Sequence, residues 1–447
     1  MMTRKVPLFI AMAIGVTSAI GLPAIPAGAA TSPPGGKGDP TSVLEEGVDA
    51  PSSDFIASQE RLLPAARALQ AAIDPLESGK PTDPSGKASN FAEVSINPTA
   101  GVVDVWWKGA IPADIQAILD KYPDVPVNIH GATYSLNDFA AAEDALDLAL
   151  HAKKVLGLGA VLQSVRIDPA AKSMSIDVYG DGSATQAAVE GLIKTLTSIP
   201  FTLHLSSERS ATGGHPLGSR QDDSQPYYGG DGIFLNGDAA YCTTGFNIVV
   251  ASGNNYGTTA FHCPYGMGSS GSINNPTTGG SYGTFKNQSS WLRPAYDTAL
   301  VDWNSNDFGN VWVGGINSTS YATITGSDTS VIGQSVCVDG ARTGDHCSPI
   351  VTAKNGVYYE EDGTRIAGNV EATSQVTAGM NGDSGGPVIE GSTSSRLGLG
   401  MLFQGIGGYE TTCPSSVYRP SLGGTCYRRI IYTSLSGMLS SFGGSLK

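Results

Sequence analysis

The sequence predicts a two-part chain, an α+β half followed by an all-β barrel or sandwich. Three observations predict it. Helical spacing and strand alternation are mixed up to about residue 205, whereas from Tyr227 onward helix signals nearly vanish and short apolar runs alternate with Gly, Ser and Asn turns. A polar, glycine-bearing tract at 206–226 separates the two parts, and a tract of this kind is exposed and open to proteases. All six cysteines lie beyond it.

The start of the chain reads as an address rather than a fold. Arg4 and Lys5, an apolar run over 6–22 and Ala27-Gly28-Ala29 make residues 1–30 a secretory signal peptide. A membrane anchor is the competing reading, and Gly15, Ser18, Gly21 and Pro23 interrupt the run against it. A secreted, extracellular and soluble product is therefore expected. Of the 447 residues 40% are hydrophobic and only 15% charged, so the chain can bury real cores and is not of disordered composition. The net charge of -14 gives no attraction for nucleic acid or an anionic membrane, and neither is expected as a partner.

Residues 31–60, with Pro33-Pro34-Gly35-Gly36, read as a flexible lead-in. Leu62, Leu63, Ala66, Leu69 and Ile73 then fall at helical spacing over 61–73. An internal ββαβ repeat follows, in units at about 91–130 and 161–205. The first has strands at 91–96 and 102–107 around Asn97-Pro98, a helix at 112–121 and a strand at 125–129. The second has strands at 161–167 and 173–179 around Asp168-Pro169, a helix at 184–196 and a strand at 201–205. A longer helix at 136–156 lies between them. His130, His151, His204 and His215 in this half read as structural or solvated.

In the second half, export gives the cysteines their meaning, because an oxidising compartment favours disulfides. Six cysteines allow 15 pairings. Local spacing favours Cys242 with Cys263, Cys337 with Cys347, and Cys413 with Cys426. Zinc is the alternative, but no Cys-x-x-Cys pair exists and the histidines lack ligand spacing, so no metal is expected.

Gly382-Asp383-Ser384-Gly385-Gly386-Pro387 carries the chemistry. A serine between glycines on a tight turn is either a plain Gly/Ser turn or an exposed nucleophile, and as a nucleophile it needs a base and a group to orient that base. Its G-x-S-x-G pattern also occurs in the α/β-hydrolase elbow, which requires a histidine downstream. None follows Ser384, since the last histidine is His346. The order histidine, aspartate, serine survives. His262 ends the strand-like Thr258-Thr259-Ala260-Phe261 and adjoins Cys263, whose disulfide would pin its backbone, whereas His346 lies in a short cysteine loop beside Asp345. Asp297, opening the apolar run Thr298-Ala299-Leu300-Val301, is the expected orienting acid, with Asp302 at the other end of that run as its rival. Asp383 is expected to point away from the base, into an internal ion pair.

These three motifs, in this order, resemble the chymotrypsin-type serine proteases. Gly229-Gly230-Asp231-Gly232-Ile233 with Cys242 and Gly245-Phe246-Asn247, and Cys337 through Arg342-Thr343-Gly344 to Cys347, are similar to the bacterial streptogrisin and α-lytic protease branch. The resemblance implies a catalytic domain at 227–447 made of two six-stranded antiparallel β-barrels. It implies a serine endopeptidase made as a zymogen, needing no cofactor and acting on protein or peptide substrates as a monomer. Its α+β prodomain, 61–205, would aid folding and inhibit, and 206–226 would be the processing linker. Ser384, His262 and Asp297 would form the triad and the N–H groups of Gly382 and Ser384 the oxyanion hole.

The chain departs from that branch in places. Phe261 replaces the usual small residue before the histidine, Ala378 stands where a cysteine is common, and Phe403-Gln404-Gly405 replaces a Ser-Gly-Gly strand edge. A pocket lined by Ala378, Met380, Phe403 and Gly405 has no carboxylate, which predicts cleavage after apolar or aromatic residues. Two other functions remain open at this level: an inactive, protease-shaped binding protein, and an esterase on the same triad.

Overall fold

The computed structural model describes residues 51–73, 90–150, 160–168, 172–180, 185–206, 220, 223, 227–236, 240–264, 270–303, 307–316, 318, 320–359, 365–391, 396–418 and 423–447. By contact density the chain divides into residues 1–36, which lie outside this set together with the whole expected signal peptide, and one unit, 37–447, that holds every described residue. No described helix is long and apolar enough to cross a membrane.

The first helix, α1, spans Ser53–Ile73 and so starts inside the segment expected to be a flexible lead-in. The Ser52 hydroxyl accepts from the Phe55 N–H at its first turn. Its first turns were not legible because the side chain that anchors them, Gln59, is polar yet fully buried. Gln59 donates to the Gly391 carbonyl and accepts from the Ser335 N–H, both far away in sequence. Leu62, Leu63, Ala66, Leu69 and Ile73 form the expected apolar stripe, packed on Phe91, Val94, Val103 and Val105.

Strands β1 (Phe91–Asn97), β2 (Val102–Trp107) and β3 (Val127–Gly131) form one sheet, with helix α2 (Ala113–Leu119) connecting β2 to β3. The pair β1–β2 is antiparallel and β2–β3 parallel. After helix α3 (Leu136–Leu150) come β4 (Ala160–Ile167), β5 (Met174–Gly180), α4 (Gln186–Leu196) and β6 (Phe201–Ser206). Here too the first pair is antiparallel and the second parallel. Thr185 caps α4, its hydroxyl accepting from the Ala188 N–H. Of the four histidines, His130 bonds Asp104 at 2.7 Å and lies stacked on Trp106, and His204 sits in β6 opposite Asp177, while His151 and His215 lie outside the described residues.

From Tyr227 the chain is almost entirely β. Nine strands make one sheet, running from Ser445–Leu446 through Ile248–Val249, Asn255–Ala260 and Thr298–Trp303 to Ala240–Thr243. An eleven-stranded sheet contains Val336–Gly340, Pro387–Glu390, Leu397–Gly405, Arg429–Ser434, Arg365–Thr373 and Ile350–Tyr359. It does not stop at the second half: β4 pairs antiparallel with Ile350–Tyr359, with Val165 opposite Val357 and Ser164 opposite Tyr358, so β4, β5 and β6 complete the same sheet. Helix α5 (Leu435–Phe442), capped by Ser434 and ended by Gly443, precedes the strand Ser445–Leu446.

Charge secures the seam between the halves. Arg166 of β4 reaches both Asp177 and Glu371, and Glu371 also pairs with Arg429 and accepts from the Tyr358 hydroxyl. At the other end of the seam Arg67 of α1 pairs with Asp328 and Glu390, and the Ile96 N–H donates to the Ile332 carbonyl at 2.8 Å.

The tract expected as an exposed linker is not exposed throughout. Arg220 and Asp223 are buried against the second half. Arg220 pairs with the buried Asp339 and donates to the Gly314 carbonyl, and its own carbonyl accepts from the Gly232 N–H. A guanidinium in a polar tract looks solvated until a distant carboxylate is folded onto it.

Candidate active site

The backbone sets the histidine. Strand Asn255–Ala260 pairs with Thr298–Trp303, and this places His262, just past one strand end, beside Asp297, just before the other. Asp297 follows a short 3-10 turn, Pro294–Tyr296, and adopts a left-handed conformation, φ 43° and ψ 51°. Among non-glycine residues, Asp and Asn tolerate that region best. From there its carboxylate grips His262 twice: Oδ1 accepts from the His262 backbone N–H at 2.9 Å and Oδ2 meets Nδ1 at 2.9 Å. The Asp297 carbonyl accepts from the Phe261 N–H at 3.0 Å, so the residue before the histidine is held too. Asp297 is buried, and the His262 side chain keeps 14% exposure.

Ser384 reaches the same place from the other sheet. Its carbonyl accepts from the Thr243 N–H at 2.9 Å, next to the Cys242–Cys263 disulfide that adjoins His262. The Ser384 hydroxyl donates to the Phe403 carbonyl at 3.2 Å, while the Phe403 ring lies 5.8 Å from the His262 ring. One residue thus touches both groups. Gly382 has φ 98°, and a Cβ there would lie 2.5 Å from the Arg342 side chain, so only glycine fits the turn. Among the described residues neither the Gly382 nor the Ser384 N–H donates to a protein acceptor.

Thr243 was not singled out from the sequence. Its N–H holds the Ser384 carbonyl, its hydroxyl donates to the Gly382 carbonyl and accepts from the Ala341 N–H, and its carbonyl accepts from the Thr259 hydroxyl. A lone buried threonine carries no motif, and its adjacency to Cys242 is the one signal that could have pointed to it.

Asp383 turns away from His262, as expected, and is fully buried. Among the described residues it forms no ion pair of the kind expected; it accepts from the N–H groups of Arg342, Thr343 and Met380 and from the Thr343 hydroxyl, with the Arg342 charge close enough to act on it. Nearby, Asp339 lies opposite Asp345 across the hairpin closed by Cys337–Cys347. Burial pushes Asp383, Asp339 and Asp345 all upward; for Asp339 desolvation outweighs even its direct pairing with Arg220.

Asp345 is raised to about 6 from an ordinary value of 3.8. Its contribution to stability is full below the lower value, and is lost as pH rises through the upper one, because the unfolded chain ionises first. We therefore expect up to about 3 kcal/mol of stability to disappear as pH rises over that window. Thermal unfolding midpoints of the native chain and Asp345→Asn, taken across it, check this: the variant's curve should be flatter.

The rivals fall elsewhere. Asp302 sits further along its strand, opposite Thr284, and His346 pairs with Val338 on the cysteine hairpin. The third disulfide joins Cys413 and Cys426. Cys337, Asp345 and Cys347 cluster like metal ligands, but both sulfurs belong to a disulfide. Three of the four residues expected to line the pocket, Ala378, Met380 and Phe403, are buried. Ala378 packs with Leu402 and Ile430, Met380 with Val417 and Cys426, and Phe403 with Tyr358, Ile366 and Ile431, all buried; Gly405 lies against Tyr427.

No family model matches the chain. Serine protease 2 of Streptomyces fradiae is 31% identical over 192 residues, which cover 41% of this chain and 97% of that protein. The chain belongs to the chymotrypsin-type bacterial serine proteases. Members of this family are serine-type endopeptidases. Streptogrisin-C of Streptomyces griseus is 34% identical over 172 residues, 38% of this chain, and the match spans only 34% of that relative. Among solved structures, Nocardiopsis protease (NAPase) shares 26% identity, with 49% of this chain and 98% of that one covered, at a TM-score of 0.35. Thermostable serine protease AL20 from an extremophilic microorganism shares 15% identity, with 48% and 95% covered, at a TM-score of 0.26.

Proposed function

We propose that this serine protease is a secreted endopeptidase made as a zymogen, cutting peptide bonds through an acyl-enzyme on Ser384. The observation that carries this reading is the two-point hold of Asp297 on His262, with Ser384 bound to the residue whose ring faces that histidine. Ser384 Oγ attacks the peptide carbonyl as His262 Nε2 takes its proton; His262 then gives that proton to the leaving amine. Water deacylates the enzyme by the same steps in reverse roles. Asp297 fixes the Nδ1–H tautomer and stabilises the imidazolium. The Gly382 and Ser384 N–H groups, which donate to no acceptor among the described residues, receive the oxyanion. The serine hydroxyl donates to the Phe403 carbonyl, and for catalysis it would turn from there to His262 Nε2.

The test is labelling of the processed protein by a serine-directed phosphonate. Incorporation at Ser384 is expected, and a processed protein that takes up none would leave the inactive binding-protein reading in its place. Comparing matched ester and amide substrates separates an esterase from a peptidase.

We read 227–447 as the catalytic domain, a pair of barrels with Arg220 and Asp223 packed onto it. Residues 61–205, extended by α1 back to Ser53, are read as the prodomain. The common strand order and pairing of β1–β3 and β4–β6 support one unit used twice. The β4 pairing and the Arg166–Glu371–Arg429 cluster support a prodomain that docks on the enzyme it precedes. Segment 31–226, added to the processed enzyme, should inhibit it, and Arg166→Ala should raise the inhibition constant by about tenfold, because it removes the charge that bridges Asp177 and Glu371 across the seam while Arg429 still pairs with Glu371. N-terminal sequencing of the secreted protein locates the processing site and tests export at once.

A further inference from the structure

The strand Leu397–Gly405 carries the carbonyl that holds the Ser384 hydroxyl, so its last residues, 403–405, run beside the nucleophile. Ala378 and the short strand Gly379–Met380 lead into the turn that presents Ser384. If Ser384 is the nucleophile, as proposed above, the substrate side chain before the cut must enter between 403–405 and 378–380. That space is bridged from behind by Cys426–Tyr427, which pairs with Gly379–Met380 and places Tyr427 opposite Gly379.

Tyr427 occupies it. A Cβ built on Gly405 would lie 2.1 Å from both Cγ and Cδ2 of Tyr427, and 2.7 Å from Cε2, so the ring lies against the bare backbone of Gly405 and any side chain there would collide with it. The Tyr427 backbone cannot retreat freely, because its carbonyl accepts from the Ala378 N–H at 2.7 Å. Tyr427 is 5% exposed and packs in one cluster with Ala378, Leu402 and Ile430, and Ala378, Met380 and Phe403 are themselves buried at the flanks. An aromatic ring of the enzyme thus fills the volume in which a substrate's aromatic ring would have to sit.

We infer that Tyr427 is the specificity-determining residue of this protease, and that it restricts the residue before the cut to short apolar side chains, alanine foremost. This narrows the apolar or aromatic preference that the absence of a carboxylate predicts. Overpacking by a large side chain would have to displace Tyr427 from a packed core, whereas a methyl group fits beside it. One or two methylene groups already separate substrates tenfold or more in an apolar pocket, and a phenyl ring exceeds that.

The experiment uses the processed enzyme and peptides identical except at the residue before the cut, Ala, Val, Leu or Phe. kcat/KM for Ala should exceed that for Phe by about tenfold or more. Equal or better cleavage after Leu or Phe overturns the inference while leaving the proposed protease intact. Failure to cleave any of the series, together with no phosphonate labelling, removes the protease reading and this inference with it. Tyr427→Ala should bring the Ala-to-Phe ratio toward one or reverse it; an unchanged ratio in a variant that still labels with phosphonate overturns the role given to Tyr427. Should that variant not fold, Tyr427→Leu, which keeps an apolar filling, and the native profile decide the question.

Discussion

Ser384→Ala should lower kcat on a peptide substrate by about 10^6-fold, with KM little changed. Removing the hydroxyl removes the acyl-enzyme altogether, so the reaction loses the step that His262 serves. The variant keeps the Gly382 and Ser384 backbone N–H groups, because alanine changes no backbone donor. A residual acceleration over water, on the order of 10^3, should therefore survive from the oxyanion site and binding alone. Folding should be unaffected, since Ser384 is only partly buried and its hydroxyl, among the described residues, bonds the Phe403 carbonyl alone. Steady-state kinetics beside a far-UV spectrum checks both halves of the statement. Activity within tenfold of the native enzyme would transfer the chemistry to another residue.

Asp297→Asn should cost about 10^4 in kcat without unfolding the protein. Asparagine tolerates the left-handed backbone that Asp297 adopts, and its amide oxygen can still accept from the His262 N–H. Its NH2 group cannot accept from Nδ1–H. Facing a donor, the imidazole carries its proton on Nε2, the atom that must be free to take one from Ser384. The effect should fall on kcat, with a thermal midpoint close to that of the native chain. Asp302→Asn supplies the comparison and should leave kcat within a few-fold, because Asp302 stands opposite Thr284 instead of beside the histidine. If Asp302→Asn were the more damaging change, the orienting carboxylate would be misassigned.

Much of this site was legible because its parts are contiguous. The glycines around Ser384, the strand-like run into His262 with its neighbouring cysteine, and the apolar run after Asp297 are each short stretches whose residue types are demanded by local backbone geometry. The disulfide partners were legible for the same reason, since each pair closes a short loop. The helical stripe of α1 and the strand alternation of β1 and β2 follow from side-chain periodicity, which needs only neighbours along the chain.

What stayed hidden depends on partners brought from far away. Gln59 reads as a solvated residue until Gly391 and Ser335 are folded onto it, and Arg220 as linker until Asp339 is. Ala378, Met380 and Phe403 look like pocket wall in sequence, because nothing local shows that each is buried in a hydrophobic cluster, or that the Tyr427 ring lies against Gly405.

The sequence alone determined the change from mixed α and β signals to almost pure β near Tyr227, and the short motifs that hold His262, Asp297 and Ser384. These rest on periodicity, backbone sterics and the spacing of a few residue types. Only the tertiary structure decided that Asp297 grips His262 at two points, that β4 joins a sheet of the second half, and that the Tyr427 ring lies against Gly405. Each of those depends on which distant groups exclude water from one another, and burial of that kind is a property of the packed chain and not of any segment of it.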